Sequence, residues 1–239
     1  MMNRMPAGSI DVIVTSPQYN LRNSTGNGFK NGSGGKWQSA QLLEGYDHAD
    51  EHNADNMPHD VYVAQQRASL TAMIRVLRND GVIFYNHKWR VQDGLLQDRH
   101  DIVEGFPVRQ IIIWQRGGGI NFNPGYFLPT YEVIYMICKP DFRLAPKANA
   151  QGDIWSIQQE KNNPHPAPFP VELAQRCIAS TMGQIVLDPA MGSGQTAIAA
   201  EMLGRDWIGI DISKNYCKLA NERIRAARGL MRKLPFNGK

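Results

Sequence analysis

Short apolar runs alternate with amphipathic stretches along most of this chain, and this alternation predicts strands separated by helices. Six runs are typical of buried strands, at residues 10–14, 82–85, 111–114, 133–138, 185–187 and 207–210. The longest amphipathic stretch predicts a helix that Asp60 caps and that ends at Asn79-Asp80-Gly81. Three further helices are predicted to begin at Pro170, Thr196 and Lys214.

The order of these elements predicts an α/β fold, a doubly wound and mostly parallel sheet with helices on both faces. Ligands of such sheets bind beyond the carboxyl ends of the strands. The 239 residues suit one domain that spans residues 1–239.

Residues 21–58 break the alternation, because they are rich in Gly, Asn, Ser and His and contain few apolar residues. We expect a mobile loop there on the target side of the domain, since loops of this length inside compact domains are usually functional. A plain surface insertion is the alternative.

Bulk composition narrows the class of protein. No apolar run approaches the roughly 20 residues of a membrane helix, so a soluble globular protein is expected. The cysteines Cys138, Cys177 and Cys217 stand far apart without metal-ligand spacing, which favours reduced thiols and no metal site. The net charge of +4 and the pI of about 9.0 are compatible with a polyanionic partner but do not require one.

A polar hexapeptide, Thr15-Ser16-Pro17-Gln18-Tyr19-Asn20, directly follows the first predicted strand. It brings a hydroxyl group, a rigid turn and an aromatic ring to the carboxyl end of the sheet. The segment resembles the catalytic tetrapeptide Asp/Asn/Ser-Pro-Pro-Tyr/Phe of the DNA amino-methyltransferases, with Gln18 in place of the second Pro. Taken alone, it is also compatible with an ordinary turn.

A second polar segment follows the strand predicted at residues 185–187. Asp188 ends that strand, and Gly192 and Gly194 allow the backbone to approach a ligand closely. The helix amides that follow, from Thr196 onward, can bind polar groups. No Lys-Ser/Thr pair follows the glycines, so the segment is not a P-loop, and the missing third glycine weakens a dinucleotide fingerprint. Asp211 ends the next strand, where it suits ribose hydroxyls, a helix cap, or both.

Together the two segments resemble the β-class DNA amino-methyltransferases, the adenine-N6 and cytosine-N4 family. The glycine segment is similar to their S-adenosylmethionine motif, in which Ala190 replaces an aromatic residue, and the catalytic motif comes first, as in the β-class permutation. The resemblance implies a Rossmann-like methyltransferase fold and S-adenosylmethionine as the cofactor. It also implies double-stranded DNA as the partner, with the target base flipped out of the helix and no metal involved.

The resemblance also assigns the site residues. Ser16 and Pro17 are expected to accept hydrogen bonds from the base amino group, and Tyr19 to stack on the base, which is worth roughly 1–3 kcal/mol. The expected cofactor contacts are Asp188, Ala190, Gly192, Gly194, Thr196, Asp211, His165 and Phe169. The expected DNA contacts are Asn20, Lys36, Arg116 and Asn121, since Arg and Asn can pair with base edges. A solvated Arg and a turn Asn are the alternatives.

Adenine N6 is favoured as the target, because Asn20 and Leu21 resemble the adenine-modifying β members, although Ser at the first motif position is often associated with cytosine N4. Relatives often carry a recognition domain where this chain has only residues 139–155, which suggests a homodimer. Two other classes stay open. A nucleotide-dependent oxidoreductase leaves residues 15–20 unexplained, and a non-catalytic DNA-binding module fits the charge and Gln18.

Overall fold

The structure is a computed structural model that describes residues 1–20, 57–92, 94–118, 124–160, 163 and 168–231. The strands in these ranges are β1 (Ile10–Thr15), β2 (Leu77–His87), β3 (Arg90–Gln92), β4 (Leu95–Gln97), β5 (Val108–Gln115), β6 (Tyr131–Cys138), β7 (Ile154–Ser156), β8 (Ile185–Asp188) and β9 (Asp206–Gly209). The α-helices are α1 (His59–Val76), α2 (His100–Val103), α3 (Val171–Ala179), α4 (Gln195–Met202) and α5 (Lys214–Met231).

Seven of these strands form one sheet in the order β7-β5-β6-β2-β1-β8-β9, while β3 and β4 pair separately. Neighbours in the large sheet are parallel, except that β6 runs antiparallel to both β2 and β5. The predicted α/β fold with a mostly parallel sheet is therefore confirmed. The sequence did not indicate β3, β4 and β7, because each has only three residues and too little pattern to detect.

Both faces of the sheet are covered, as the alternation of strand side chains requires. Val12 and Val14 point to one face, where they pack in a cluster with residues of α3 and α4. Ile13 points to the other face and packs with residues of α1. A smaller cluster, which includes Ile198 and Ile224, joins α4 to α5. The central strands are thus buried on both faces, which explains why their sequences are continuous apolar runs.

The predicted boundaries of the first helix are wrong at both ends. Pro58 occupies the cap position, and Asp60 lies within the first turn, where its charge suits the positive end of the helix dipole. The helix ends at Val76, and Gly81 lies inside β2. A Cβ atom at Gly81 would lie 2.7 Å from Leu77 Cγ and 2.8 Å from the Asp11 carbonyl oxygen. Gly81 is therefore needed for close packing and not to end a helix.

Within the described ranges, no helix has the length and apolar character needed to cross a membrane. Those residues also contain no group of His, Cys, Asp or Glu side chains able to hold a metal ion. Cys138 and Cys177 are buried free thiols and Cys217 is partly buried. Burial raises the pKa of all three, to about 11 at Cys138, so none is a ready thiolate nucleophile at neutral pH.

The expected loop at residues 21–58 lies outside the described residues, apart from Met57 and Pro58. The residues that border the gap are joined to each other. The Asn20 side-chain amide donates to the Met57 carbonyl oxygen over 2.8 Å, and its oxygen accepts from the Met57 amide over 2.7 Å. Arg90 donates to the Asn20 carbonyl oxygen over 2.8 Å. Asn20 and Met57 are therefore held next to each other beside the end of β1.

Candidate active site

The polar residues of interest meet at one edge of the large sheet. The parallel strands β1, β2 and β8 end there, and the antiparallel strand β6 begins there. β1 lies between β2 and β8, so the order of the strands reverses at the β1–β8 pair. Such a switch point opens a crevice where ligands of α/β sheets bind. The hexapeptide of residues 15–20 and the glycine segment lie on adjacent strands at this crevice.

Four side chains form a compact network at the end of β1. Ser16 Oγ lies 2.5 Å from the Tyr19 hydroxyl oxygen, and that hydroxyl donates to Glu132 Oε2 over 3.1 Å. Asn86 Nδ2 donates to the Tyr19 oxygen over 2.7 Å and to Glu132 Oε2 over 3.0 Å. Tyr19, Asn86 and Glu132 are each at most 9% exposed, while Ser16 is partly exposed. The network thus joins a buried carboxylate to a partly exposed hydroxyl at the end of β1.

The donors in this network follow from the number of available protons. A carboxylate only accepts, so the single hydroxyl proton of Tyr19 goes to Glu132. Ser16 must then donate its own proton to the Tyr19 oxygen. Ser16 Oγ also accepts a long hydrogen bond from Asn86 Nδ2 at 3.4 Å, and its second lone pair can accept from a group that enters the crevice. Pro17, which follows Ser16, is also partly exposed.

Two further residues support the hexapeptide. The Tyr62 hydroxyl donates to the Gln18 carbonyl oxygen over 2.8 Å and lies 2.6 Å from His87 Nε2. The His87 ring packs against the Tyr19 ring with their centroids 4.7 Å apart. Burial, aided by the nearby Arg99 charge, lowers the pKa of His87 to about 3, so its imidazole is neutral at physiological pH. His87 is therefore an uncharged packing surface for Tyr19.

Arg116 is the cation that pairs with Glu132 in the described part of the chain. Arg116 Nε lies 3.7 Å from Glu132 Oε1, and the Arg116 guanidinium also donates to the Pro129 carbonyl oxygen over 3.4 Å. Burial lowers the pKa of Lys88, Arg116 lowers it further, and Glu132 acts in the opposite direction. Glu132 is thus a buried carboxylate with the Arg116 cation beside it.

On the other side of β1, Asp188 shapes the glycine segment. Its Oδ1 accepts from the Ala190 amide over 3.1 Å, and its Oδ2 accepts from Thr196 Oγ1 over 2.7 Å. Burial raises the pKa of Asp188 to about 6, although both hydrogen bonds act to lower it. Thr196 Oγ1 also lies 3.3 Å from the Val14 carbonyl oxygen, which ties the start of α4 to β1. Asp188 and Thr196 therefore hold the loop in place.

Asp211 also binds backbone. One of its oxygens accepts from the Gly192 amide and the other from the Ser213 amide, each over 2.8 Å. Ser213 in turn caps α5 by accepting from the Tyr216 amide over 3.2 Å. Asp211 is partly exposed, and each carboxylate oxygen has a second lone pair. Of the two predicted roles, bracing the helix start is observed, and acceptor capacity remains for ribose hydroxyls.

The two loop glycines meet the conformational requirement expected of them. Gly192 and Gly194 have φ values of +51° and +87°, in the left-handed region that favours glycine. A Cβ at Gly194 would also lie 3.1 Å from Ala220 Cβ in α5. The loop thus packs directly on α5.

A polar cluster that the sequence did not indicate covers part of the same loop. Arg223 in α5 donates to the Ser193 carbonyl oxygen over 2.7 Å and pairs with Glu160 at 2.5 Å. Asn163 donates to Glu160 over 3.0 Å and accepts from Ser193 Oγ over 3.1 Å. The chain after β7 is thereby attached to the glycine loop, so it contributes to the wall of the crevice.

The structure brings most of the predicted residues to the crevice, with differences in role. Phe169 is 8% exposed and lines a small cleft with Thr15 and Asn86, between the sheet and α3. Asn20 is 1% exposed, and its amide is used by Met57, so it holds the chain together and is not placed to contact DNA. His165, Asn121 and Lys36 lie outside the described residues.

Sequence reasoning missed Asn86 and Glu132 as members of the site. A usable signal existed, because each is a polar residue within or at the end of an apolar strand. Asn86 follows the run at residues 82–85, and Glu132 precedes the run at residues 133–138. The antiparallel direction of β6, which brings Glu132 to the same edge as Ser16, was not evident from the pattern.

Residues 10–222 match the model of the DNA methylase family, whose members are N6 and N4 methyltransferases. The chain belongs to this family. The type II methyltransferase M.BglII of Bacillus subtilis is 25% identical over 92% of this chain, and the chain spans only 65% of that relative's length. The type II methyltransferase M2.DpnII of Streptococcus pneumoniae is 27% identical over 94% of the chain and 86% of the relative.

Solved structures support the fold of the methylase domain. A putative DNA modification methylase from Thermus thermophilus, TTHA0409, solved in complex with S-adenosyl-L-methionine, superposes with a TM-score of 0.65. The match covers 95% of this chain and 89% of that one at 24% identity. The sheet described above is therefore shared with a member of the same fold that carries this cofactor.

Proposed function

We propose that this methylase transfers a methyl group from S-adenosylmethionine to the exocyclic amino group of a flipped base in double-stranded DNA. The observation that carries the proposal is the orientation of Ser16. Its hydroxyl proton is directed to Tyr19, which in turn donates to Glu132, so its partly exposed oxygen is available as an acceptor. The match to the DNA methylase family over residues 10–222 supports the same reaction class.

The reaction needs such acceptors, because the lone pair of a base amino group is delocalised into the ring and is a poor nucleophile. Ser16 Oγ and the Pro17 carbonyl oxygen would accept hydrogen bonds from the two N–H groups of the base amino group. The nitrogen would then become more tetrahedral, which frees its lone pair for attack. Because the amino group lies inside the duplex, the base must leave the stack first, and aromatic side chains commonly hold a flipped base. Tyr19 is proposed for that role, through the ring face not covered by His87.

S-Adenosylmethionine would supply an electrophilic sulfonium methyl group. Asp211 would hold ribose hydroxyls with its remaining lone pairs, and the backbone around Gly192 and Gly194 would border the donor. His165 and Phe169 are proposed to complete the pocket. Asp188 and Thr196 would act indirectly, because their polar atoms already bind the loop and β1. The pocket fits the cofactor because it combines a left-handed glycine turn with an acceptor at the end of β9.

Adenine N6 is the proposed target, and cytosine N4 is the second candidate. Asn20 and Leu21 after the motif favour adenine, whereas Ser16 at its first position is often associated with cytosine. Expression in a host without DNA methylation, followed by modification-sensitive sequencing, tests this choice. N6-methyladenine within one DNA sequence motif is the expected result. N4-methylcytosine would show that cytosine N4, the second candidate, is the target.

DNA contacts are proposed for Arg116, Lys36 and Asn121, of which Arg116 lies at the rim of the crevice beside Glu132. A homodimer is also proposed, because residues 139–153 contain no separate recognition domain and pack back on the core through Phe142, which is 3% exposed. Light scattering of the DNA complex should give the mass of one duplex plus two protein chains. A monomer both free and DNA-bound would contradict the dimer.

Action on DNA implies work at the nucleoid of a bacterial cell.

A further inference from the structure

We propose that Glu132 is the final acceptor of the proton that methyl transfer releases, and that the proton reaches it from Ser16 through the Tyr19 hydroxyl. The inference rests on the proposed function. Its basis is the continuous line of oxygens from the crevice to a buried carboxylate. Ser16 Oγ and the Tyr19 oxygen are 2.5 Å apart, and the Tyr19 oxygen and Glu132 Oε2 are 3.1 Å apart.

The reaction creates a proton that must leave. When the amino nitrogen takes the methyl group, the carbon–sulfur bond breaks and the nitrogen becomes positively charged with two hydrogens. One N–H proton passes to Ser16 Oγ, the Ser16 proton passes to the Tyr19 oxygen, and the Tyr19 proton passes to Glu132 Oε2. The products are a neutral methylamino base, the demethylated cofactor and a protonated Glu132. Each hydroxyl ends with one proton, so atoms and charge balance.

The hydrogen bonds already point in the direction of this transfer. Glu132 can only accept, so Tyr19 donates toward it and Ser16 donates toward Tyr19. Asn86 donates to both the Tyr19 oxygen and Glu132 Oε2, which keeps the two oxygens facing each other. Asn86 is thus a positioning residue of the relay and carries no proton itself.

The Tyr19 hydroxyl is suited to pass a proton on and not to remain ionised or to keep an extra proton. Burial and the nearby Glu132 charge raise its pKa well above the ordinary value, so it does not ionise and must pass one proton as it receives another. Ser16 has no carboxylate of its own among its hydrogen-bond partners in the described residues. Glu132 is the nearest carboxylate in that network, and Arg116 at 3.7 Å compensates its charge before transfer.

The test uses the full-length protein and a DNA duplex that carries the mapped target site. Tyr19→Phe interrupts the line and keeps the ring, while Glu132→Gln keeps the shape and removes the base. Tyr131→Phe is the matched control, because it removes a hydroxyl from the residue beside Glu132, on the opposite face of β6. Single-turnover methyl transfer is measured in H2O and in mixtures with D2O, together with the affinities for S-adenosylmethionine and for the duplex.

We expect each relay variant to lower the single-turnover rate by about 10²-fold, as loss of general-base catalysis typically does, with both affinities within about threefold of wild type. The wild-type rate should fall in D2O with a curved dependence on deuterium content, which indicates several protons in transit. The curvature should disappear in both variants and persist in Tyr131→Phe. If either variant folds poorly, the other carries the same test.

Two outcomes overturn the inference, and they are distinguishable. If wild type transfers methyl groups but Tyr19→Phe and Glu132→Gln keep its rate and its solvent isotope effect, the relay is wrong and the proposed function stands. If wild type binds neither S-adenosylmethionine nor DNA and transfers nothing, the proposed function fails and the relay fails with it.

Discussion

The two halves of the crevice use their polar side chains in opposite ways. On the β1 side, Ser16, Tyr19 and Glu132 bond to one another, and Ser16 presents a side-chain oxygen to the crevice. On the β8 side, the carboxylates of Asp188 and Asp211 accept from backbone amides of the loops that follow β8 and β9. An acidic residue of a ligand motif can therefore shape the backbone, as Asp188 does, or combine that task with remaining acceptor capacity, as Asp211 does. Here the two carboxylates hold the loop in the conformation for which the sequence shows only its two glycines, Gly192 and Gly194.

The largest expected effect is at Ser16, where the comparison predicts loss of chemistry without loss of cofactor binding. Ser16→Ala removes the acceptor that faces the crevice and should lower the methyl transfer rate by about 10²–10³-fold, by analogy with loss of one transition-state hydrogen-bond partner. Calorimetry should show unchanged affinity for S-adenosylmethionine. Ser9→Ala is the control. Ser9 precedes β1, at the end opposite Ser16, and its Oγ donates to the Pro6 carbonyl oxygen, so the rate should be unchanged. Equal rates for Ser16→Ala and wild type would show that the β1 side of the crevice does not supply side-chain chemistry that the β8 side lacks.

The next effect concerns Asp188 and depends on pH. Its pKa rises on folding from 3.8 to about 6, so between these values the folded state binds more protons and stability falls as pH rises. The ionised form therefore costs about 3 kcal/mol at neutral pH and above. Asp188→Asn should raise the free energy of unfolding in that range by up to that amount, because the amide can still accept from Ala190 and donate to Thr196.

Urea unfolding at several pH values checks this prediction. The advantage of Asp188→Asn should shrink as the pH falls from neutral through the folded-state pKa of about 6 toward 3.8. An advantage that is constant across this range would show that burial of the charge is not its cause.

A smaller effect separates backbone shape from side-chain chemistry in the β8 half. Gly194→Ala places a Cβ 3.1 Å from Ala220 Cβ at a φ of +87°, and should destabilise the fold by about 1–3 kcal/mol. Gly229→Ala is the matched control in α5, where the new Cβ meets no described atom within 4 Å other than its chain neighbours and the backbone of its own helix. That change should stabilise the protein by up to about 1 kcal/mol because alanine favours helix. Thermal unfolding of both variants would reveal a shift of the same sign if the loop shape were unimportant.

The smallest effect is expected at Gln18, where the hexapeptide departs from the family pattern. The observed contact of Gln18 is its carbonyl oxygen, which accepts from Tyr62 and which proline would also provide. Gln18→Pro should therefore change the methyl transfer rate by less than about tenfold, within roughly 1.4 kcal/mol. Activity found only in the proline variant would mean that the natural loop is impaired.

The site residues that the sequence revealed follow from local patterns, whereas those it did not reveal depend on how distant strands pair. Central strands such as β1 and β8 are buried on both faces, so their apolar runs marked them, and Ser16 and Asp188 follow directly at their ends. The relay residues Asn86 and Glu132 come from β2 and β6, whose antiparallel pairing is a property of the sheet and not of either segment. The clamp between Asn20 and Met57 likewise joins residues 37 positions apart.

The central claim is that this protein places a methyl group on an exocyclic amino nitrogen of DNA. The most direct measurement uses S-adenosylmethionine with an isotopically labelled methyl group, purified wild-type protein and unmethylated double-stranded DNA, followed by nucleoside mass spectrometry. The label should appear in N6-methyladenine, or in N4-methylcytosine if the second candidate is right. Label on a ring carbon, or none on DNA from a folded protein that binds the cofactor, would contradict the account.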